Sequence, residues 1–195
     1  NYGNDAESCN ALSGENCSIP APAYTASVPG LNDRPALTFS GNQALSIADN
    51  PQFNEGGEPY VQRSQTVVFR TGDDVTSRQV IVEEGGGTRG FNVYLNGGDL
   101  YVGAWNLNDD DEDSTPWGEH FLSTESNAGD GGSGTVTVSP NTAYLVTLTY
   151  DAADAVLEAH VNGTLIGRVA GPANVGRFFD HNEFVLGAQR DGSIY

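Results

Sequence analysis

An acidic run in the middle of the chain carries its densest set of oxygen ligands. The run consists of Asn108, Asp109, Asp110, Asp111 and Asp113. Calcium takes about six to eight hard oxygen ligands, and neighbouring carboxylates repel one another unless a cation lies between them. We therefore expect Ca²⁺ to bind here, although the spacing is not that of an EF-hand. The alternative is a solvated acidic loop without metal, and Asp73 with Asp74 is a weaker second candidate.

Two tryptophans, Trp105 and Trp117, flank the acidic run. An exposed Trp beside calcium-held carboxylates offers an apolar ring face on which a sugar can stack. Trp117 follows a proline in a predicted loop and is the better surface candidate, whereas Trp105 ends a predicted strand and fits a core position as well. His120 and Arg89 are polar residues that can join them. The predicted ligand set is thus Trp117, His120, Arg89 and Trp105, facing a glycan or a protein.

Catalysis would need carboxylates or a Ser-His-Asp set at defined positions, and the carboxylates of this sequence do not show such an arrangement. A glycosidase places two carboxyl groups at a fixed separation on either side of the scissile bond. Glu83 and Glu84 are adjacent in a predicted strand, so their side chains point to opposite faces. Glu119 and Glu125 lie in a predicted loop, and no Ser-His-Asp arrangement stands out. We predict that the chain is not an enzyme, with a glycoside hydrolase as the third-ranked function.

The charge balance restricts the partners. The formal net charge is −18, and the eight basic residues are all arginine. Such a chain repels nucleic acid and anionic membranes, but it is compatible with divalent cations and neutral sugars. The sequence contains neither an apolar run of about 18 residues nor a charged-then-apolar leader at its start. The expected location is extracellular or at a cell surface, without membrane insertion.

The cysteines lie in the N-terminal part of the chain. Cys9 and Cys17 are close in sequence within a polar, acidic context, which favours a small disulfide loop in an oxidising compartment. Two free thiols are the alternative. Asn, Gly, Ser and Pro are frequent over residues 1–34, so this part is predicted to be a loop-like arm pinned by the disulfide. Residues 35–195 are predicted to form one domain.

Alternation of apolar and polar residues defines the core strands of that domain. Residues 91–95 alternate and end at the turn 96–99, and residues 143–151 alternate with Tyr144, Val146, Leu148 and Tyr150 on one face. Asn162-Gly163 is a strong hairpin signal between two further strands. No segment has helical periodicity. The sequence therefore predicts an all-β, two-sheet antiparallel sandwich.

Other strands are predicted from shorter patterns. Residues 35–40 are expected to form a strand with Leu37 and Phe39 facing inward. Residues 60–71 are expected to form a long strand whose buried part is 66–69. Short strands are expected near Phe121 and over 135–138, and residues 184–188 read as the last strand.

Four segments together resemble a known family. They are residues 36–42, 80–106, 147–168 and 184–188, and their order and spacing are similar to the concanavalin A-like jelly roll, in particular the laminin G-like modules of large secreted bacterial adhesins. The resemblance covers roughly residues 36–195. It implies a non-catalytic adhesion or recognition module that is stabilised by calcium and binds its ligand at a loop end.

The chain departs from that family at two places. The usual Trp-x-His-Val-Ala before the hairpin is replaced by residues 143–146, which keep the packing but lack the Trp and the His. The family also closes with a further strand, and nothing follows Tyr195. The resemblance therefore implies a split domain, or a strand supplied by a neighbouring domain or subunit. A structural extender or fibre subunit completed in this way is the second-ranked function.

Overall fold

The described part of the chain is built from β-strands. The computed structural model describes residues 22–41, 43–47, 61–85, 89–106, 119–123, 136, 138–170 and 184–187. The strands are β1 (Ala23–Val28), β2 (Arg34–Thr38), β3 (Leu45–Ile47), β4 (Gln62–Arg70), β5 (Gln79–Gly85), β6 (Arg89–Asn96), β7 (Asp99–Asn106), β8 (Glu119–Ser123), β9 (Ala143–Asp151), β10 (Val156–Val161), β11 (Thr164–Ala170) and β12 (Phe184–Leu186). Within these ranges there is no helix, and so none able to cross a membrane.

The strands form two large antiparallel sheets and a hairpin. The six-stranded sheet has the order β3-β12-β5-β6-β7-β8, and the four-stranded sheet has the order β11-β10-β9-β4. Strands β1 and β2 pair with each other in a separate two-stranded sheet. One hydrophobic cluster joins the two large sheets, with Val82, Val93 and Leu100 from one and Leu148, Leu157 and Ile166 from the other. This arrangement confirms the predicted all-β sandwich.

The strongest sequence patterns correspond to the central strands. β9 has the predicted bounds, and Tyr144, Val146, Leu148 and Tyr150 are all buried. The hairpin between β10 and β11 turns at Asn162 and Gly163, whose φ angles of 51° and 78° are both positive, as a two-residue type I′ turn requires. Strand β8 confirms the short strand expected near Phe121.

The predicted inward faces near the N-terminal hairpin are wrong. Residues 23–28, expected to be loop-like, form β1 because they pair with β2. Leu37 and Phe39, expected to face inward, are 41% and 36% exposed. The physical reason is that the β1–β2 hairpin does not pack closely on the described strands of either large sheet, so Leu37 and Phe39 line an open groove. The boundary predicted between residues 34 and 35 therefore falls inside this hairpin.

Two further predictions need correction. The run 66–69 is not uniformly buried, because β4 alternates and Val68 is 57% exposed. The strand expected over 135–138 is absent at the two residues described there, 136 and 138. Val138 is nevertheless buried, and it leads into a turn in which the Tyr144 hydroxyl accepts a hydrogen bond from the Ser139 N–H at 2.8 Å.

Candidate functional site

Three of the four candidate ligand residues, Arg89, Trp105 and His120, have their backbones at one end of the six-stranded sheet. The register places Trp105 opposite Gly90 on one side and opposite Glu119 on the other. Arg89 is paired with Asn106, and His120 with Ala104. Adjacent strands lie about 4.8 Å apart. The backbone positions of Arg89, Trp105 and His120 therefore lie in three successive rows on three consecutive strands. Because successive rows face opposite sides of a sheet, Trp105 is on the opposite face from Arg89 and His120.

The acidic run is anchored at this same end. The chain leaves β7 after Asn106 and returns in β8 at Glu119, which is the register partner of Trp105. Trp117 precedes Glu119 by two residues, a reach of about 7 Å at most. Trp117 and the five predicted calcium ligands at 108–111 and 113 lie outside the described residues, as do Cys9 and Cys17. The pairing of β7 with β8 fixes where their segment begins and ends.

The second calcium candidate is held by internal hydrogen bonds. One oxygen of Asp74 accepts hydrogen bonds from the backbone N–H groups of Thr76 and Ser77 and from the Thr76 hydroxyl. Hydrogen bonds from Ser77 and Thr76 hold the pKa of Asp74 well below its usual range. Asp73 accepts a hydrogen bond from the Asn141 amide. Among the described side chains, no group of three or more His, Cys, Asp and Glu is placed to hold a metal ion.

Glu84 belongs to a buried polar cluster that the sequence analysis missed. Its side chain from β5 is 3% exposed, and it is paired with Arg63 of β4, whose side chain is 14% exposed. The Gln65 amide donates a second hydrogen bond to Glu84 at 3.2 Å. Burial raises the pKa of Glu84, and the Arg63 guanidinium opposes part of that rise. The cluster links the two large sheets across the sandwich interior.

The geometry of the glutamates does not match a glycosidase pair. Glu83 and Glu84 are both buried, but adjacent strand residues point to opposite faces, as expected. Glu84 faces a cation and an amide, and an ion pair that fills a core position acts as a structural contact. The signal for this cluster was present in the alternation of β4, since Arg63 and Gln65 have the same parity as the inward Val67 and Phe69.

The outer face of the four-stranded sheet carries a polar groove of about 530 Å³. Its side chains are paired with each other: Arg168 donates to Glu158 at 3.1 Å, and the Gln62 amide donates to Asp151 at 2.6 Å. The hydrogen bond from Gln62 is the main cause of a lowered pKa of Asp151. Because these side chains already form hydrogen bonds with one another, fewer of their donors and acceptors are left to bind a ligand in this groove. The end of the six-stranded sheet is therefore the preferred candidate site.

Comparison with known proteins bears on the fold. No protein-family profile and no curated protein sequence matches the chain. The crystal structure of the botulinum neurotoxin serotype G binding domain aligns with a TM-score of 0.52 and 12% identity, over 80% of this chain and 33% of that chain. The receptor binding domain of botulinum neurotoxin D aligns with a TM-score of 0.52 and 12% identity, over 76% of this chain and 34% of that chain.

A third solved structure aligns over similar shares of both chains. The CBM40 of the Ruminococcus gnavus IT-sialidase, bound to alpha2,6 sialyllactose, has a TM-score of 0.48 and 18% identity over 68% of each chain. The present chain spans about a third of the length of the toxin domains. At these identities the alignments to the toxin domains establish the fold: the chain is a β-sandwich.

Proposed function

We propose that the chain is a non-catalytic recognition module of the laminin G-like kind, part of a larger extracellular or surface protein. Its ligand, a glycan or a protein, binds at the end of the six-stranded sheet formed by β6, β7 and β8. The observation that carries this proposal is the register, which brings the backbones of Arg89, Trp105 and His120 into three successive rows beside both ends of the acidic segment, with Arg89 and His120 on one face of the sheet and Trp105 on the other. The fold adds support, because the named toxin structures are binding domains.

Calcium is the proposed cofactor of this site. The ligands are the oxygens of Asn108, Asp109, Asp110, Asp111 and Asp113. The carboxylates of this run repel one another, and the net charge of the whole chain, −18 with the run included, strengthens that repulsion unless a counter-ion is bound. A bound Ca²⁺ neutralises the run and holds Trp117 near Trp105, where an indole face can stack on a sugar ring.

A binding assay with paired aromatic variants tests the recognition site. The wild-type chain, Trp117→Ala and Tyr24→Ala are applied to an immobilised glycan array and to a panel of surface proteins. Tyr24 is the matched control, since it is a 69% exposed aromatic in the separate β1–β2 hairpin. We expect Trp117→Ala to lose at least tenfold in affinity and Tyr24→Ala to bind like wild type. Equal losses in both variants, or none in either, would contradict the proposal.

Thermal unfolding with calcium and with chelator tests the metal. A ligand that binds only the folded state at 100 times its Kd adds about 2.7 kcal/mol, so we expect the melting temperature to rise by several degrees with Ca²⁺. Asp109→Asn with Asp111→Asn should abolish the rise. Asp154→Asn, an exposed carboxylate in the β9–β10 turn, is the control and should retain it. If the melting temperature of the wild type is the same with Ca²⁺ and with chelator, the acidic run is a solvated loop that binds no calcium.

The competing functions predict different behaviour in the same assays. A structural extender binds no small ligand and assembles through a strand. The observation that favours it is that, among the described strands, β4 pairs with β9 alone. A glycoside hydrolase would turn over a β-glucan. Since Glu83 and Glu84 point to opposite faces and Glu84 is paired with Arg63, we expect no turnover.

A further inference from the structure

The turn between β10 and β11 carries a modification motif. Asn162-Gly163-Thr164 matches the Asn-x-Thr pattern that N-glycosylating transferases recognise. All three residues are exposed on the folded chain, and an attached glycan is bulky enough to need such a surface position. The sequence has one other match, Asn16-Cys17-Ser18, which lies outside the described residues.

The carboxamide of Asn162 is held by its oxygen. Oδ1 accepts a hydrogen bond from the Leu145 N–H at 2.9 Å, and the backbone N–H of Asn162 donates to the Leu145 carbonyl at 2.7 Å. The amide nitrogen Nδ2 forms no hydrogen bond with the described residues. N-glycosylation modifies Nδ2 and leaves Oδ1 as an acceptor. An attached sugar is therefore compatible with both hydrogen bonds of the folded turn.

The hairpin itself accounts for two of the three motif residues. The φ angles of 51° at Asn162 and 78° at Gly163 explain why these two residue types occupy the turn. Thr164 begins β11, and its hydroxyl forms no hydrogen bond within the described part of the chain. The turn does not require the hydroxyl on which recognition by the transferase depends.

A second asparagine shows what the motif adds. Asn141 is also exposed and has a positive φ of 56°, but it is followed by Thr142-Ala143 and does not match the pattern. Its Nδ2 is already occupied, because it donates a hydrogen bond to Asp73 at 2.6 Å. Asn141 therefore serves as an internal control for an exposed, left-handed asparagine in a turn.

The β10–β11 turn lies at the far end of the sandwich from the proposed ligand site. Leu145, which holds Asn162, is near the start of β9, whereas Arg63 pairs with β9 near the other end of that strand. Arg63 contacts Glu84, and Glu84 is in the same cross-strand row as His120. A sugar on Asn162 therefore leaves the proposed ligand site at the end of the six-stranded sheet open.

We propose that Asn162 is an N-glycosylation site. The donor is an oligosaccharide carried on a polyprenyl phosphate or diphosphate. A bond forms between Nδ2 and the anomeric carbon of the first sugar as the bond from that carbon to the phosphate oxygen breaks. The phosphate leaves with the electron pair, and Nδ2 gives up one proton to a base of the transferase. The proposal rests on the extracellular location proposed above, because such transferases modify exported chains, and it needs neither the ligand nor Ca²⁺.

Mass spectrometry of the exported chain tests the proposal. The chain is secreted from cultured eukaryotic cells, which glycosylate Asn-x-Ser/Thr acceptors, and it carries Asn16→Gln to remove the other match. After the intact mass is measured, a glycan-releasing amidase in heavy-oxygen water converts each glycosylated asparagine to a labelled aspartate. We expect the label at Asn162 and none at Asn141.

Three variants separate recognition by the transferase from folding. Thr164→Val removes the hydroxyl and keeps the β-branched shape, so the glycosylated fraction should fall at least tenfold. Thr164→Ser keeps the hydroxyl and should remain modified. Asn162→Asp keeps an oxygen that can accept from the Leu145 N–H but lacks Nδ2, so it should be exported folded and unmodified. Thermal unfolding of each exported variant checks that it is folded.

Three results would overturn the proposal. They are an unmodified Asn162 in the exported, folded chain, an undiminished glycosylated fraction in Thr164→Val, and a glycosylated chain without a cooperative unfolding transition. The last result would show that the turn cannot carry a sugar in the folded state. Loss of ligand binding at the six-stranded sheet, or of the calcium-dependent rise in melting temperature, would leave the label at Asn162 unchanged. The two proposals can therefore fail separately.

Discussion

Strands β4 and β9 have the same length and lie side by side in one sheet, yet they meet different surroundings. Each has nine residues, and they pair along their full length. β9 is hydrogen-bonded on both sides and buries four consecutive inward side chains. Among the described strands, β4 is hydrogen-bonded to β9 alone. Its inward positions hold Arg63 and Gln65 as well as Val67 and Phe69, none of them fully buried.

The difference shows that a side chain's environment in a sheet depends on its neighbours across the sheet as much as on its own alternation. Both strands alternate, but a central strand has a cross-strand pair on each side of every residue, and an edge strand has one. β4 therefore tolerates two polar residues at inward positions, Arg63 and Gln65, both of which contact Glu84 of the opposite sheet. We expect substitutions in the two strands to differ in the same way.

Breaking the ion pair of β4 should have the largest effect on stability. Arg63→Met keeps the apolar stem and removes the charge, which leaves Glu84 buried without its cation. Removing one partner of a buried pair costs about 3–5 kcal/mol, so we expect a loss of that size in denaturant unfolding. The double variant Arg63→Met with Glu84→Leu should recover most of it. A loss below about 1 kcal/mol for the single variant would mean that the edge strand does not hold this charge in place.

Shortening a buried side chain of β9 should have the second-largest effect on stability. Leu148 is 2% exposed and packs in the main cluster, so Leu148→Ala should destabilise the fold by about 2–5 kcal/mol. Val68→Ala on the outer side of β4 is the matched change. Val68 is 57% exposed, and the expected effect is within about 0.5 kcal/mol. Similar losses at both positions would show that the two strands are equally covered.

This comparison also separates what sequence reasoning could and could not predict. β9 was predicted with its full bounds because four apolar residues alternate in it without interruption. The inward faces of Leu37 and Phe39 were predicted from the same alternation and are wrong. Alternation indicates that one face differs from the other, but it does not indicate whether a second sheet lies over that face. The pairing of β2 with β1 in a separate two-stranded sheet depends on the tertiary structure, and the alternation within β2 could not reveal it.

The candidate site was predictable in part for a similar reason. Residue type singled out Trp105, His120 and Arg89, and the hairpin signal at residues 96–99 paired β6 with β7. The pairing of β7 with β8, which brings His120 next to them, spans a twelve-residue connection from 107 to 118 with no turn signal to fix its register. The partner of Glu84 was missed because Arg63 lies 21 residues away in sequence.

The end of β9 nearest the hairpin turn should show a smaller effect. The Asn162 side chain accepts a hydrogen bond from the Leu145 N–H at 2.9 Å, and its φ is 51°. Asn162→Ala removes the acceptor and puts alanine, which tolerates the left-handed region less well than asparagine does, at this φ, for a loss of about 1–2 kcal/mol in denaturant unfolding. Asn162→Gly keeps the conformation and should lose less. If the two variants are equal, the hydrogen bond carries the whole contribution.

The smallest effects should appear in the pH dependence, with opposite signs for two acids that β4 contacts. Burial raises the pKa of Glu84 above its usual 4.5, so the folded state holds this proton more tightly than the unfolded state does. That contribution to stability is full below pH 4.5 and is lost as the pH rises through the raised value. The wild type should therefore lose stability relative to Glu84→Gln across that window.

Asp151, at the end of β9, should behave in the opposite way. Its pKa is lowered from 3.8, first by the hydrogen bond from Gln62 of β4, so its contribution is present above pH 3.8 and is lost as the pH falls through the lowered value. Unfolding by denaturant from pH 2 to 7 measures both slopes against Glu84→Gln and Asp151→Asn. Slopes of the same sign would contradict the contrast, because they would place both carboxyl groups in similar surroundings. Opposite slopes would show that β4 contacts a buried carboxyl on its inner side and a solvated one on its outer side.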